Sequence, residues 1–220
     1  MHSERRYALV VFDWDGTLID SASTIVECIQ DAARDLSLAV PDRERASHVI
    51  GLGLHDSLRH AVPSLPRERY AEFAERYRRH FLAREPAMQL FPGIAELLEQ
   101  LVRRGHRLAV ATGKSRAGLD RALAASGLGH LFAATRCADE TLPKPHPAML
   151  IELMRELATG APASLMIGDT SHDLAMAQGA GVDAVGVAYG AHPEAALRAL
   201  APLHCVVSVA ELSAWLSVHG

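Results

Sequence analysis

The chain has 220 residues, of which 49% are hydrophobic and 22% charged, and a formal net charge of −4. That composition excludes disordered, collagen-like and low-complexity architectures. The absence of a basic surplus argues against a nucleic-acid binder. No run approaches the roughly 20 apolar residues of a membrane span, and Cys28, Cys137 and Cys205 have no C-x-x-C spacing, so a cytoplasmic protein with reduced thiols is expected.

In chain order, the charged N-terminus leads into an apolar run at 8–12 that stops at Asp13, too short for a signal peptide. Residues 20–88 then carry no strand pattern. They read as helices at about 21–38, 43–49, 55–61 and 67–83, the third ended by Pro63. The fourth places Tyr70, Phe73, Tyr77 and Phe81 at helical spacing, which reads as the core of a small helical bundle. From 93 to 105 the apolar positions Ile94, Leu97, Leu98, Leu101 and Val102 form one stripe of a helix that Gly105 ends. Apolar runs follow at 108–111, 165–167 and 184–188, with an edge strand at 205–207. Helices alternate with them at about 116–125, 147–157, 173–180, 193–200 and 210–218. Uninterrupted apolar runs suit strands buried on both faces, and the alternation predicts a doubly wound parallel α/β sheet. The expected organisation is a core (1–19), an inserted α-helical segment (20–88) acting as a lid, and the rest of the core (89–220).

In such a sheet ligands bind at the carboxyl ends of strands. Four polar segments fall there. Asp13-Trp14-Asp15-Gly16-Thr17-Leu18 offers two carboxylates that a turn at Gly16 can aim into one cleft, a nucleophile and a general acid/base pair. Thr112-Gly113-Lys114 opens a helix with a hydroxyl and backbone N–H groups, an anion site. Its Gly-Lys-Ser tail is no P-loop, because position 108 is Leu108. Lys144-Pro145-His146-Pro147 holds one of only two lysines beside 20 arginines. Gly168-Asp169 with Asp173 puts two carboxylates on one side of a helix start, facing a common cation. No H-x-x-x-H or H-E-x-x-H pair suggests zinc.

Together with Asp20-Ser21 and Phe91-Pro92-Gly93, this ordered set resembles the haloacid dehalogenase superfamily over nearly the whole chain, and segment 20–88 resembles its small helical cap. The resemblance implies a Rossmann-like core and a phosphatase in which Asp13 forms an aspartyl-phosphate. Asp15 then protonates the leaving oxygen and activates water, while Thr112 and Lys144 hold the phosphoryl oxygens. Mg²⁺ is expected on Asp13, the Asp15 carbonyl and Asp169, with Asp173 in support. Gly113 stands where many relatives have asparagine, leaving its backbone to bind substrate. Asp15 argues against a dehalogenase, which needs no proton donor. The stretch Ile50-Gly51-Leu52-Gly53-Leu54-His55 looks more like the cap of phosphoglycolate phosphatases than of sugar-phosphate mutases, with Gly51 and Gly53 offering backbone to the substrate. The expected substrate is therefore a small phosphorylated metabolite, phosphoglycolate-like, with neither nucleic acid nor membrane as partner. The rival readings are a mutase of the same superfamily and a receiver-type phospho-acceptor domain.

Overall fold

In the computed structural model, which describes residues 6–220, six parallel strands lie in one sheet. They are β1 (Leu9–Phe12), β2 (Arg107–Thr112), β3 (Phe132–Cys137), β4 (Ser164–Gly168), β5 (Asp183–Val187) and β6 (His204–Val206), in the order β3-β2-β1-β4-β5-β6. The apolar runs become strands because both faces are covered. Val10 and Phe12 pack into one hydrophobic cluster and Leu9 and Val11 into another, on opposite sides of the sheet. Helices α5 (Ile94–Arg103), α6 (Arg116–Ser126) and α10 (Val209–His219) cover the first face through Leu98, Leu119 and Leu216. Helices α7 (Ala148–Glu156), α8 (Ser171–Ala180) and α9 (Glu194–Arg198) cover the second through Leu150, Leu174 and Leu197. β1 sits between β2 and β4, where the winding direction reverses, the position at which doubly wound sheets open a crevice.

Strand β3 does not appear in the sequence pattern. It is the edge opposite β6, its residues are mostly half-buried, and Arg136 pairs with Glu152 and Glu156 of α7. A half-covered edge needs no continuous apolar run.

Between β1 and α5 run α1 (Ala22–Asp35), α2 (Arg43–His48), α3 (Leu54–Ala61) and α4 (Tyr70–Arg84). These helices share a hydrophobic cluster of their own, with Ile29, Leu58, Phe73 and Phe81 in it. The segment leaves and re-enters the core side by side: Asp20 N–H donates to the Gln89 carbonyl and Phe91 N–H to the Leu18 carbonyl. α1 stops earlier than the periodicity suggests, and Ser37 follows it with φ of 54°, a left-handed residue that turns the chain.

Candidate active site

Asp13 follows the last residue of β1, and its N–H continues the ladder by donating to the Ile167 carbonyl at 2.9 Å. Its side chain is buried. One oxygen, Oδ1, receives Lys144 Nζ at 2.6 Å, and the other, Oδ2, is buried with no hydrogen-bond partner. Lys144, from the loop ahead of α7, is fully buried and also reaches Asp173 Oδ1 at 2.6 Å.

Asp169 lies beyond β4. Its Oδ1 accepts from Thr17 Oγ1 at 2.9 Å and its Oδ2 from the Ala191 N–H at 2.7 Å. Asp173, one turn into α8, accepts from the N–H and Oγ1 of Thr170 through Oδ2, while Thr170 caps the helix. That capping box starts α8 at Ser171, ahead of the expected start at 173. Gly16 makes the approach possible. With φ of 80° it turns the Asp13–Asp15 loop back, and a Cβ there would collide with the Asp169 carboxylate.

Asp13, Asp169 and Asp173 each offer an oxygen, and these lie within 4.8 Å of one another. Lys144 alone cannot balance three carboxylates. Burial pushes Asp13 up to about 7, with Lys144 opposing and Asp173 reinforcing the rise. Burial and the charges of Asp13 and Asp173 also hold Asp169 well above the carboxylate range. Burial works against the Lys144 ammonium, but Asp13 and Asp173 outweigh it and raise its pKa. A buried, unpartnered carboxylate oxygen in an over-acidic, all-oxygen cluster fits a hard divalent cation.

Asp15 faces the same cavity, a space of about 370 Å³ between the sheet end and the helical segment. Its Oδ1 accepts from Ser21 Oγ at 2.8 Å and its Oδ2 meets Lys114 Nζ at 3.0 Å. Thr112 closes β2, is fully buried and lines the cavity with Gly113 and Gly51. Gly51 and Gly113 are in close contact: a Cβ on Gly113 would lie 2.6 Å from the Gly51 carbonyl oxygen. Gly53 is not among the residues lining the cavity. It precedes α3 as its N-cap, and a Cβ there would lie 2.8 Å from the Pro143 ring.

Sequence reasoning placed Ser21, Lys114 and Thr17 inside the motifs but did not give their contacts: Ser21 and Lys114 hold the two oxygens of Asp15, and Thr17 donates to Asp169. The aromatic stripe has a second face: Phe73, Tyr77 and Phe81 belong to the bundle core and also line the cavity. A further junction joins the helical segment to the core beside this site. The carbonyl of His48, at the end of α2, receives Nε2 of His172 at 2.7 Å and Nε2 of His192 at 3.2 Å. His192 Nδ1 accepts from the Ser171 N–H, which fixes the tautomer. Burial and the neighbouring His172 push His192 down to about 4.

A sheet of this winding, with a carboxylate pair after β1 and an acidic pair after β4, defines a hydrolase core with a helical insertion. The haloacid dehalogenase-like hydrolase family model matches residues 10–187, and the chain belongs to that family. A Dickeya dadantii protein named "Probable phosphatase IndB" is 38% identical over 211 residues, covering 93% of this chain and 91% of its own. A Pseudomonas aeruginosa 5′-nucleotidase is 34% identical over 216 residues, covering 97% of each. Among solved structures, a predicted phosphoglycolate phosphatase from Haemophilus somnus superposes with a TM-score of 0.84 at 24% identity, covering 99% of this chain and all of that one, a likeness of fold. Among the described residues no helix is long and apolar enough to cross a membrane.

Proposed function

We propose that this hydrolase is a Mg²⁺-dependent phosphatase of small phosphomonoesters that works through an aspartyl-phosphate on Asp13. The observation that carries the reading is Asp13 Oδ2, a buried carboxylate oxygen without a partner, at the end of the central strand and beside a second carboxylate. Asp13, Asp169 and the Asp15 carbonyl would hold Mg²⁺, with Asp173 fixing Lys144 behind them. When bound, the ion neutralises the repulsion between a phosphate and these carboxylates.

Lys144 keeps Asp13 aligned through Oδ1, which leaves Oδ2 to attack phosphorus. The P–O ester bond breaks as the Oδ2–P bond forms, and the leaving alkoxide takes its proton from Asp15. Thr112 Oγ1 and the Gly113 backbone N–H stabilise the phosphoryl oxygens. Water then gives its proton to Asp15 and attacks phosphorus, which releases inorganic phosphate and restores Asp13. Ser21 and Lys114 position the Asp15 carboxylate for both transfers.

Segment 20–88 is read as a lid and 1–19 with 89–220 as the catalytic core, because the chain crosses between them only at the paired neck around Leu18–Asp20 and Gln89–Phe91. Cys28, Cys137 and Cys205 are free and buried, which supports a reducing cytoplasm as the workplace, with a soluble metabolite and neither nucleic acid nor membrane as partner. The names of relatives include phosphatase, 5′-nucleotidase and, at 30–31% identity in Agrobacterium fabrum and Yersinia, phosphoglycolate phosphatase, and these last support the phosphoglycolate-like expectation drawn from the stretch 50–55.

Many turnovers of acetyl phosphate or p-nitrophenyl phosphate with Mg²⁺, lost on chelation, test the reading. A single phosphorylation without release would favour the phospho-acceptor, and sugar-phosphate isomerisation without phosphate release the mutase.

A further inference from the structure

The walls of the cavity bear on what leaves with the alcohol. At about 370 Å³ it falls in the range of pockets that bury drug-sized ligands, well beyond a two-carbon leaving group. Phe73, Tyr77 and Phe81, spaced four apart on α4, put three rings along one wall, and Ile29, Leu54 and Leu58 stand among the residues lining the rest. Tyr77 and Phe81 stack with centroids 5.8 Å apart and planes 26° apart. The Tyr77 hydroxyl makes no hydrogen bond within the protein among the described residues, so it is free to meet a polar edge.

Of the three cations that line the cavity among the described residues, Lys114 and Arg121 are already paired. Lys114 Nζ is 3.0 Å from Asp15 Oδ2 and 4.6 Å from the Phe81 ring centroid. Arg121 pairs with Glu85 at 3.1 Å, and Arg78 is exposed at the rim. A second carboxylate on the substrate, as in phosphoglycolate, would enter beside Asp15, where the one largely buried lining cation, Lys114, already serves the Asp15 carboxylate and would have to be shared. Set instead against the apolar walls the charge would be unpaired, which is costly.

We propose that the enzyme takes phosphate monoesters whose alcohol carries an aromatic or heteroaromatic ring, seated against Tyr77 and Phe81, in preference to compact phosphorylated carboxylates. This rests on the phosphatase reading for the phosphoryl end, while the apolar walls alone carry the ring preference. Stacking and ring burial supply the selectivity. Tyr77 supplies an edge donor without bringing a charge.

The test is a binding comparison of two non-hydrolysable isosteres in the presence of Mg²⁺: 3-phenylpropylphosphonate, the analogue of 2-phenylethyl phosphate, and 3-phosphonopropionate, the analogue of phosphoglycolate. Calorimetry is expected to give at least tenfold tighter binding of the ring compound. Tyr77→Ala should remove most of that difference. Leu54→Arg, at a position 52% exposed and therefore tolerant of change, should narrow it by adding a cation to the lining. Equal or reversed affinities in the wild type, or a preference that neither variant moves, would overturn the proposal. Acetyl phosphate, which has no alcohol body to place, reports separately on the phosphatase reading: its failure to turn over sinks that reading without touching the binding comparison.

Discussion

Replacing His192 by glutamine should remove a specific part of the acid sensitivity of the fold. His192 is 4% exposed, its Nδ1 accepts from the Ser171 N–H, and its Nε2 donates to the His48 carbonyl. A second proton would have to enter at Nδ1, against that N–H and close to His172. Its pKa is therefore lowered by burial, and next by His172, from 6.5 to about 4. A histidine depressed in the folded state binds its proton in the unfolded chain first. The contribution to stability is thus fully present above pH 6.5 and is lost as pH falls from there toward 4. Integrated over that window the loss is about 3 kcal/mol, of which about 2 kcal/mol falls between pH 7 and pH 5. For a chain of this size that corresponds to a Tm change of about 4–8 °C. A glutamine amide can keep one acceptor and one donor but cannot be protonated. Thermal melts of wild type and His192→Gln at pH 7, 6 and 5, at constant ionic strength, should show the wild type losing that much more than the variant. Carboxylates that titrate in the same range cancel in the comparison. Parallel pH profiles for the two proteins would refute the assignment and show that the junction at His48 tolerates a charged imidazole.

What could be read in the sequence follows from how local the physics is. Strands β1, β2, β4 and β5 are buried on both faces, so each announces itself as an apolar run, and the polar residues that follow β1, close β2 and follow β4 (Asp13, Thr112 and Asp169) land at the site. β3 escaped because an edge strand can carry Thr135 and Arg136 where their charges and hydroxyls meet α6 and α7. The start of α8 was legible in principle, since Thr170 and Asp173 have capping-box spacing, and Asp173 serves both as part of that cap and as a member of the acidic cluster. Asp13, Asp15, Thr112, Lys144, Asp169 and Asp173 come together because each sits beside a strand end. The pairing of Lys114 with Asp15 depends on how two loops approach, and spacing along the chain says nothing of that. The aromatic stripe of α4 gave its helix and its buried face, but periodicity cannot tell a filled core from a wall with empty space in front of it. His48, His172 and His192 meet across 124 and 144 residues with no motif linking them.

The remaining perturbations bear on the site itself. Asp13→Asn should leave the fold intact and abolish turnover with Mg²⁺, because an amide is neither an anionic nucleophile nor a comparable metal ligand; substantial residual kcat from clean protein would refute the covalent route. Lys144→Arg puts a larger planar cation into a fully buried slot, and kcat/KM for p-nitrophenyl phosphate should fall of order 10²-fold. Mg²⁺ should raise Tm more at pH 8 than at pH 6. Asp13 is raised to about 7, so in the metal-free protein this group favours folding increasingly as pH falls from above 7 toward 4, and protons compete with the ion there. A pH-independent Tm increment would place the ion elsewhere. Gly113→Ala tests the contact between lid and core. The φ of Gly113 lies outside the left-handed region, so alanine is compatible with its backbone, and any effect must come from the new methyl group. That Cβ would stand 2.6 Å from the Gly51 carbonyl oxygen and 2.7 Å from its carbon, both backbone atoms that cannot rotate aside. The loop carrying Gly51 must therefore retreat from the sheet end and open the cavity over Asp13 and Asp15. A Tm near that of the wild type, a drop of about tenfold in kcat/KM from imperfect closure, and faster amide exchange across 49–53 are expected together. Wild-type kcat/KM with unchanged exchange would mean that the lid does not need this approach, and the glycine at 113 would then have no structural reason to replace a larger residue.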